Sequence, residues 1–153
     1  MSRVKDSLNE LLVNVFNYIL NIESLNLKNQ GVRLSMNEVH ILEAIYNTDP
    51  PIMTNVANRL LITVGTLTTA IDRLVAKGYV ERYQSEEDRR KVYLKLTEKG
   101  LKTKAIHDSF HNDMIENVIK DMHIDENSEL IIALENIQKY FRDKYHERIN
   151  KNE

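Results

Sequence analysis

The chain has 153 residues, of which 42% are hydrophobic and 29% are charged, a composition typical of one globular domain in water. It contains no cysteine, which excludes disulfides and thiolate metal sites and is consistent with a cytoplasmic protein. Its N-terminus lacks the pattern of a secretion signal, and no apolar run approaches the ~20 residues of a membrane-spanning helix, so we expect neither a secreted nor a membrane protein.

Charge is unevenly distributed along the chain. The formal net charge is −2, but residues 53–104 contain 11 Lys and Arg against 6 Asp and Glu, whereas the remaining residues contain 10 against 17. A basic middle between acidic ends indicates a polyanion-binding part on an acidic scaffold. Chance clustering is the alternative that this asymmetry alone leaves open.

The N-terminal part of the chain predicts a long amphipathic helix. Its apolar residues recur every three or four positions, at Leu8, Leu11, Leu12, Val15, Ile19 and Ile22. After a break near Gly31, Ser35 and Glu38 have the spacing of a capping box and predict the start of a second helix. The segment DPP at 49–51 ends that helix, because the residue before a proline disfavours helical backbone.

Residues 53–78 predict two short helices joined by a tight turn. Thr54 is expected to cap the first helix and Thr63 the second, with the turn at Leu61-Ile62 and with Gly78 ending the second helix. This arrangement is a candidate helix-turn-helix.

Two short strands are expected at 79–84 and 91–96, where hydrophobic residues alternate with polar ones, and the segment SEEDRR connects them. Thr97 is expected to cap a long fifth helix that extends to about Met122. Asp125 or Ser128 is expected to open a sixth helix.

These elements predict a mainly α protein with a small β-hairpin wing. We expect a single domain over residues 1–153, with a winged helix-turn-helix at about 35–100 between dimerisation helices at about 4–28 and 101–149. The outer helices carry more apolar surface than one small domain needs, which favours a homodimer. Packing of these helices on each other in a monomer is the alternative.

The predicted helix-turn-helix and wing carry side chains suited to double-stranded DNA. An α-helix fits the major groove, and the exposed face of the fourth helix combines short hydroxyl side chains with a glycine and an arginine. Its members are Gly65, Thr66, Thr68, Thr69 and Arg73. At the tip of the wing, Arg89 or Arg90 is placed to enter the narrow minor groove, and Asp88 is expected to hold an arginine extended. A solvated charge run at a hairpin tip is the alternative.

The segment ITVGTLTTAIDRLVAKGYVERYQSEEDRRKVYLKLTEKG (62–100) resembles the MarR family of winged-helix regulators. The D-x-R motif of that family coincides with residues 88–90, and its L-T-x-x-G motif with residues 96–100. The resemblance covers nearly the whole chain and implies a homodimer that binds an inverted repeat in double-stranded DNA and usually represses transcription. It also implies that Arg90 is the minor-groove arginine. The positions that match DNA-contact positions of the family are Thr54, Asn55, Thr63, Gly65, Thr66, Thr68, Thr69, Arg73, Asp88, Arg89 and Arg90.

Within that family, three segments resemble the fatty-acid-synthesis repressors of Gram-positive bacteria, the FabT subgroup. They are VGTLTTAIDRL (64–74), SEEDRRKVYLKLTEKG (85–100) and HDSFHNDMIENVIKDM (107–122). This resemblance implies a repressor that uses long-chain acyl-acyl carrier protein as co-repressor and holds the acyl chain in a tunnel. Candidate walls of the tunnel are Phe16, Ile19, Met36, Phe110 and Met114, for which ordinary core packing is the alternative.

Four polar residues indicate a different effector. His107 and His111 lie four positions apart on one predicted helix, a spacing that suits one metal ion. Zinc-sensing members of the family use three histidines and a glutamate from corresponding elements, and here the candidate set is Glu23, His40, His107 and His111. A polar hydrogen-bonded cluster without metal is the alternative, and we expect DNA binding itself to require no cofactor.

Catalysis is not expected. The chain has no cysteine nucleophile and no G-x-S-x-G, G-x-G-x-x-G or P-loop motif, and a helical serine such as Ser109 would lack an adjacent oxyanion site. A protein-interaction scaffold is the other alternative, but it leaves the arginines of the predicted wing unexplained.

Overall fold

The structure is a computed structural model that describes residues 2–149, without the side chains of residues 125 and 146–149. The described chain is mainly helical with one two-stranded antiparallel hairpin, which confirms the predicted fold class. Its helices are α1 (Arg3–Asn9), α2 (Phe16–Asn29), α3 (Met36–Tyr46), α4 (Met53–Leu60), α5 (Val64–Ala76), α6 (Glu98–Met122) and α7 (Ser128–Ile149). The strands are β1 (Val80–Gln84) and β2 (Val92–Leu96), and a π-helical segment (Glu10–Val15) connects α1 to α2. Of the helices in the described range, none has both the length and the apolar composition to cross a membrane.

The chain divides into two compact units after Phe110, within α6. In the first unit, the hydrophobic core is built by α3, α4, α5 and the hairpin. Its most deeply buried members are Leu42, Val56, Leu67, Ile71, Leu74 and Leu94. Burial of side chains of this size contributes about 1.5–3 kcal/mol each, so these residues hold the helix-turn-helix and the wing in one rigid body.

The start of α3 is fixed by the predicted capping box. The Ser35 hydroxyl accepts a hydrogen bond from the Glu38 backbone amide (3.3 Å), and the Glu38 carboxylate accepts one from the Ser35 amide (2.9 Å). These bonds satisfy backbone donors that the first turn of a helix leaves open. The other carboxylate oxygen of Glu38 accepts a hydrogen bond from Lys77 Nζ at 2.6 Å, which joins the start of α3 to the end of α5.

The same contacts make stability depend on pH. Burial works to raise the pKa of the Glu38 carboxyl, but the hydrogen bonds from Lys77 and Ser35 and the charge of Lys77 outweigh burial and lower that pKa. A carboxyl with a lower pKa in the folded chain stabilises the fold above its ordinary pKa, and the contribution is lost as pH falls through the folded pKa.

We expect Glu38→Gln, which retains the capping geometry, to destabilise the protein by about 0.5–1 kcal/mol near neutral pH and by less in acid. Urea unfolding near neutral pH and in acid measures the free energy of unfolding of both proteins. An equal loss of stability at the two pH values would contradict this prediction.

Helix α4 begins two residues earlier than the sequence predicted, and Thr54 does not cap it. The helix starts at Met53, after an extended Ile52, and Thr54 lies within its first turn. The cause is tertiary, because the Pro51 carbonyl accepts a hydrogen bond from the backbone of β2 (2.8 Å) and Ile52 forms a bridge with the same strand. Pairing with β2 keeps this segment extended up to Ile52, so the helix begins directly after it.

The turn after α4 and the start of α5 agree with the prediction. Leu61 adopts a left-handed backbone conformation (φ 59°), which reverses the chain between the two helices. The Thr63 hydroxyl accepts a hydrogen bond from the Thr66 amide (3.1 Å) and caps α5. Gly78 has a φ of 77°, as expected for a residue just beyond the end of a helix. The two helices therefore form the predicted helix-turn-helix.

The two strands form the predicted hairpin, and each starts one residue later than the sequence predicted. Leu94 is buried against the helices, whereas its neighbour Lys95 is exposed on the opposite face of the hairpin. Arg82 pairs with Leu94 across the two strands. Because paired residues of antiparallel strands point to the same face, Arg82 lies on the face of the hairpin that is turned towards the helices.

Hydrogen bonds of the Thr97 side chain connect the start of α6 to the end of α5. The Thr97 hydroxyl donates a hydrogen bond to the Gly78 carbonyl (2.7 Å) and accepts one from the Gly100 amide (3.1 Å), which confirms the predicted cap. Gly100 is buried at this junction. A Cβ atom at Gly100 would overlap the Tyr79 carbonyl oxygen and lie 3.3 Å from Leu96 Cβ. The close approach of α6 to the start of β1 therefore requires glycine at this position.

The second unit contains the remainder of α6 and all of α7. The sequence predicted Asp125 or Ser128 as the opening residue of this last helix, and Ser128 is its first residue. The cap is the preceding residue, Asn127, whose side-chain oxygen accepts a hydrogen bond from the Leu130 amide (3.0 Å).

Candidate nucleic-acid interface

One face of α5 is exposed and can contact a partner. Leu67, Ile71 and Leu74 are buried on its other side, so the helix is held in the core. The residues that the sequence predicted for DNA contact at this helix are all exposed: Thr63, Gly65, Thr66, Thr68, Thr69 and Arg73. The helix therefore offers short polar side chains and one arginine on a single surface.

The threonine hydroxyls on this surface are oriented by bonds within the helix. Thr68 Oγ1 donates to the Val64 carbonyl (2.8 Å), and Thr69 Oγ1 donates to the Gly65 carbonyl (3.4 Å). Because their hydrogens are engaged, these hydroxyls can accept hydrogen bonds from base amino groups, and their methyl groups can contact thymine. Gly65 carries no side chain, so the first turn of the helix can approach a duplex closely.

The wing tip exposes Arg89 and Arg90, but Asp88 acts differently from the prediction. Its carboxylate accepts a hydrogen bond from the Arg90 backbone amide (3.1 Å), and its carbonyl accepts one from the Lys91 amide (3.1 Å). Within the described part of the chain, neither arginine forms an ion pair with Asp88. The reason is local, since an aspartate readily closes a turn on the amide two positions ahead. Asp88 therefore braces the backbone of the tip and leaves both guanidinium groups exposed.

Helix α4 contributes one exposed and one supporting residue. Thr54 is exposed, whereas Asn55 is half-buried and donates a hydrogen bond to the Pro50 carbonyl (3.1 Å), which supports the loop before the helix. A cleft of about 510 Å3 has Thr54, Thr68 and Arg90 among its lining residues. The two helices of the helix-turn-helix and the wing therefore border one cleft.

An ion pair that the sequence did not reveal connects the wing to α5. Arg82 Nη2 lies 2.6 Å from Asp72 Oδ1 and 3.4 Å from the Thr68 carbonyl oxygen. Both charged residues line the cleft that Arg90 lines. The signal was present in the strand pattern, since Arg82 stands opposite the buried Leu94 and is thereby directed towards the helices.

The five residues predicted for an effector pocket are distributed over three helices. Phe16 and Ile19 lie on α2, Met36 is the first residue of α3, and Phe110 and Met114 lie one turn apart on α6. Phe16 is 58% exposed, and the other four are half-buried. Met114 belongs to the second compact unit and the others to the first. Their role as walls of an acyl tunnel stays a prediction.

Glu23 from α2, His40 from α3 and His107 from α6 meet in the first unit. Glu23 and His107 are each only 2% exposed. Glu23 Oε1 lies 3.8 Å from His107 Nε2, and Glu23 Oε2 lies 4.0 Å from His40 Nε2. The centroids of the two imidazole rings are 5.5 Å apart. Because a buried carboxylate is unfavourable without polar partners, this cluster is a specific arrangement rather than a solvated group of charges.

The chemistry of these three side chains suits a zinc ion, which binds imidazole nitrogens and carboxylate oxygens. Nitrogen and oxygen ligands about 2.0–2.1 Å from tetrahedral zinc lie about 3.4 Å from one another. The two distances from the Glu23 carboxylate oxygens to the imidazole nitrogens, 3.8 Å and 4.0 Å, are longer than this ligand separation. His111, the fourth predicted ligand, lies one turn beyond His107 on α6 and belongs to the second unit. Metal binding by this set stays a prediction.

Comparison with known proteins agrees with this geometry. Residues 34–92 match the MarR family. The solved structure of FabT from Streptococcus pneumoniae in complex with DNA is 36% identical in sequence and has a TM-score of 0.81, covering 91% of this chain and 98% of that chain. The HTH-type transcriptional regulators YhjH and YkoM of Bacillus subtilis are 24% and 32% identical over 72% and 63% of this chain. The chain spans 61% of the length of YhjH and 63% of that of YkoM.

The relatives are transcriptional regulators, which confirms the expectation that the chain is not an enzyme. Their common architecture also agrees with the helix-turn-helix and hairpin that residues 53–96 form. Since the 36% identity to FabT extends over 98% of that protein's chain, the likeness is not confined to the helix-turn-helix. The chain belongs to the MarR family of winged helix-turn-helix transcriptional regulators.

Proposed function

We propose that this protein is a DNA-binding homodimer that represses fatty-acid biosynthesis genes by binding an inverted repeat. The observation that carries the proposal is the 36% identity to FabT, whose solved structure is a complex with DNA, over 91% of this chain. The exposed face of α5 and the exposed arginines of the wing supply the surface that such a complex needs. The resemblance of three segments to fatty-acid-synthesis repressors supports the class of regulated genes.

In this binding mode, α5 lies in the major groove and the wing follows the minor groove. Thr66, Thr68 and Thr69 read base edges and thymine methyls, and Arg73 contacts guanine or phosphate. Arg90 enters the minor groove, where the electrostatic potential is most negative. The exposed basic groups of this surface offset the net charge of −2 that the whole chain carries.

The apolar surface of the N-terminal helices supports a homodimer. Large hydrophobic side chains there are between about a third and two thirds exposed: Leu8, Leu11, Leu12, Val13, Phe16, Ile22 and Leu25. Exposed apolar surface of this extent in one segment marks an interface, because water contact with it is unfavourable. A second copy of the chain also matches the two half-sites of an inverted repeat, with recognition helices about 34–36 Å apart.

Substituting one of these residues by a charged one is expected to separate the protomers. Leu12→Glu places a carboxylate in the apolar surface and should shift the mass in solution from dimer to monomer at micromolar concentration. Analytical ultracentrifugation measures the mass. Asn17→Glu adds the same charge at an exposed polar position of α2 and serves as the control, since it should stay dimeric. A monomeric mass for the unsubstituted protein would contradict the proposal.

The effector is tested by DNA binding in the presence of each candidate. Fluorescence anisotropy with an inverted repeat from the promoter of the protein's own gene gives the affinity in chelator, then with long-chain acyl-acyl carrier protein, then with zinc. We expect tighter binding with the acylated carrier and no change with the unacylated one. Equal affinity with and without the acylated carrier would contradict the proposed co-repressor and leave DNA binding intact.

The buried Glu23 and His107, together with the half-buried His40, favour a second candidate function, a zinc-responsive repressor. In that case these residues and His111 would hold the ion, and zinc would supply a cross-link between the helices that carry them. His107→Gln is expected to abolish zinc binding in competition with a chromophoric chelator. His123→Asn is the control, because His123 is an exposed histidine outside the set whose left-handed backbone (φ 51°) asparagine tolerates. Equal zinc affinity of the two variants would exclude this site.

A further inference from the structure

We propose that Arg82 is a positioning residue that fixes the wing relative to α5, so that minor-groove contact by Arg90 depends on it. The inference rests on the DNA-binding mode proposed above. In that mode α5 and the wing tip read two grooves of one duplex, so their relative placement decides whether both contacts form at once. A residue that sets this placement affects specificity without touching a base.

One guanidinium group bridges a full turn of α5. Arg82 Nη2 lies 2.6 Å from Asp72 Oδ1 and 3.4 Å from the carbonyl oxygen of Thr68, four residues earlier on the helix. The Nη2 amino group carries two hydrogens and can therefore donate to both acceptors at once. Arg82 therefore connects the middle of β1 to the part of α5 that carries the predicted base contacts.

The outer part of the wing needs such a contact, because only the base of the hairpin is packed in the core and a two-stranded hairpin is marginally stable without further packing. Its base is anchored by the buried pair Val80 and Leu96, whereas Gln84 at the end of β1 is exposed. Arg82 lies between the anchored base and the exposed tip. Arg82 and Asp72 line the same cleft as Arg90. Their ion pair therefore lies next to the outer part of the hairpin that carries Arg90.

The location of Asp72 supports a positioning task. Its side chain is 60% exposed on the helix that is proposed to enter the major groove, where a carboxylate repels phosphate. A carboxylate at this position weakens DNA binding unless it also orients another side chain that favours binding. Arg82 is 33% exposed and is held by this acid, so its charge is directed to the helix rather than to solvent.

The experiment measures the cost of Arg90→Ala in two backgrounds. Anisotropy with the inverted repeat gives the affinities of the unsubstituted protein, Arg90→Ala, Arg82→Met and the double variant at one salt concentration. We expect Arg90→Ala to weaken binding about fivefold or more in the unsubstituted protein but less than about threefold when Arg82 is already methionine. The same fold-change in both backgrounds would overturn the inference. No effect of Arg90→Ala in either background would instead overturn the proposed binding mode.

Two further variants separate positioning from direct phosphate contact. Asp72→Asn removes a negative charge beside the DNA, so it strengthens binding if Arg82 contacts phosphate, whereas a positioning role predicts weaker specific binding. Arg82→Lys retains the charge on a side chain of different shape, so full rescue of affinity is expected only if phosphate contact is the role of Arg82. Lys95→Met is the matched control, since it removes one charge from the opposite face of the same hairpin. Stronger binding by Asp72→Asn, or full rescue by Arg82→Lys, would overturn the inference.

Discussion

Replacing Gly100 by alanine is expected to lower the free energy of unfolding by about 3 kcal/mol. The added Cβ would overlap the backbone carbonyl oxygen of Tyr79, which cannot rotate away as a side chain can. The Tyr79 oxygen also accepts a hydrogen bond from the Thr97 amide (3.0 Å), so moving it breaks the junction between the wing and α6. Urea unfolding gives the free energy, with an unchanged m-value if the fold is retained.

Gly65→Ala is the matched control for this prediction. Gly65 lies in the first turn of α5, and a Cβ there would meet only Thr63 Oγ1, at an ordinary distance of 3.9 Å. Alanine has the higher helix propensity, so this substitution is expected to leave stability unchanged or raise it by about 0.5 kcal/mol. Equal stabilities of the Gly65 and Gly100 variants would show that α6 does not approach β1 as closely as the structure places it.

Replacing Arg90 by alanine is expected to weaken binding to the inverted repeat by about 1–3 kcal/mol, the range for one good specific contact. Arg90 is exposed at the wing tip, and the backbone there is braced by the Asp88 carboxylate. An arginine inserted in a narrow minor groove also displaces bound cations, so the salt dependence of binding should decrease by about one unit in the log–log slope. Anisotropy titrations at several salt concentrations give both quantities.

Lys95→Ala is the control for Arg90→Ala, because it removes one positive charge from the exposed outer face of the same hairpin. Its affinity should stay close to that of the unsubstituted protein. If Arg90→Ala and Lys95→Ala behave alike at low salt, the tip arginine acts only through net charge and does not occupy a groove.

The elements that were predicted correctly are those decided by neighbouring residues. The capping box of Ser35 and Glu38 and the cap at Thr63 depend on side chains that bond to backbone amides three positions away. The hairpin follows from alternating residues in β2 and from a polar connecting segment. Such local patterns can be recognised without knowledge of the tertiary contacts.

The features that the sequence did not reveal depend on contacts between distant segments. The start of α4 shifts because Pro51 and Ile52 pair with β2, some forty residues later in the chain. The ion pair of Arg82 with Asp72 requires the wing to fold against α5. Gly100 was recognised only as part of a family motif, and its physical reason is visible only once α6 is placed beside the Tyr79 carbonyl. Asp88 lies at the wing tip as predicted, but its carboxylate accepts a hydrogen bond from the Arg90 backbone amide and does not hold an arginine side chain.

Sequence-specific DNA binding is measured by the ratio of affinities for the inverted repeat and for a scrambled duplex of the same length and composition. We expect two protomers per repeat and a preference for the repeat of at least about 10³-fold at physiological salt, since specific binding adds base and groove contacts to the phosphate contacts that any duplex offers. Equal affinities for the two duplexes would contradict sequence-specific recognition by α5 and the wing.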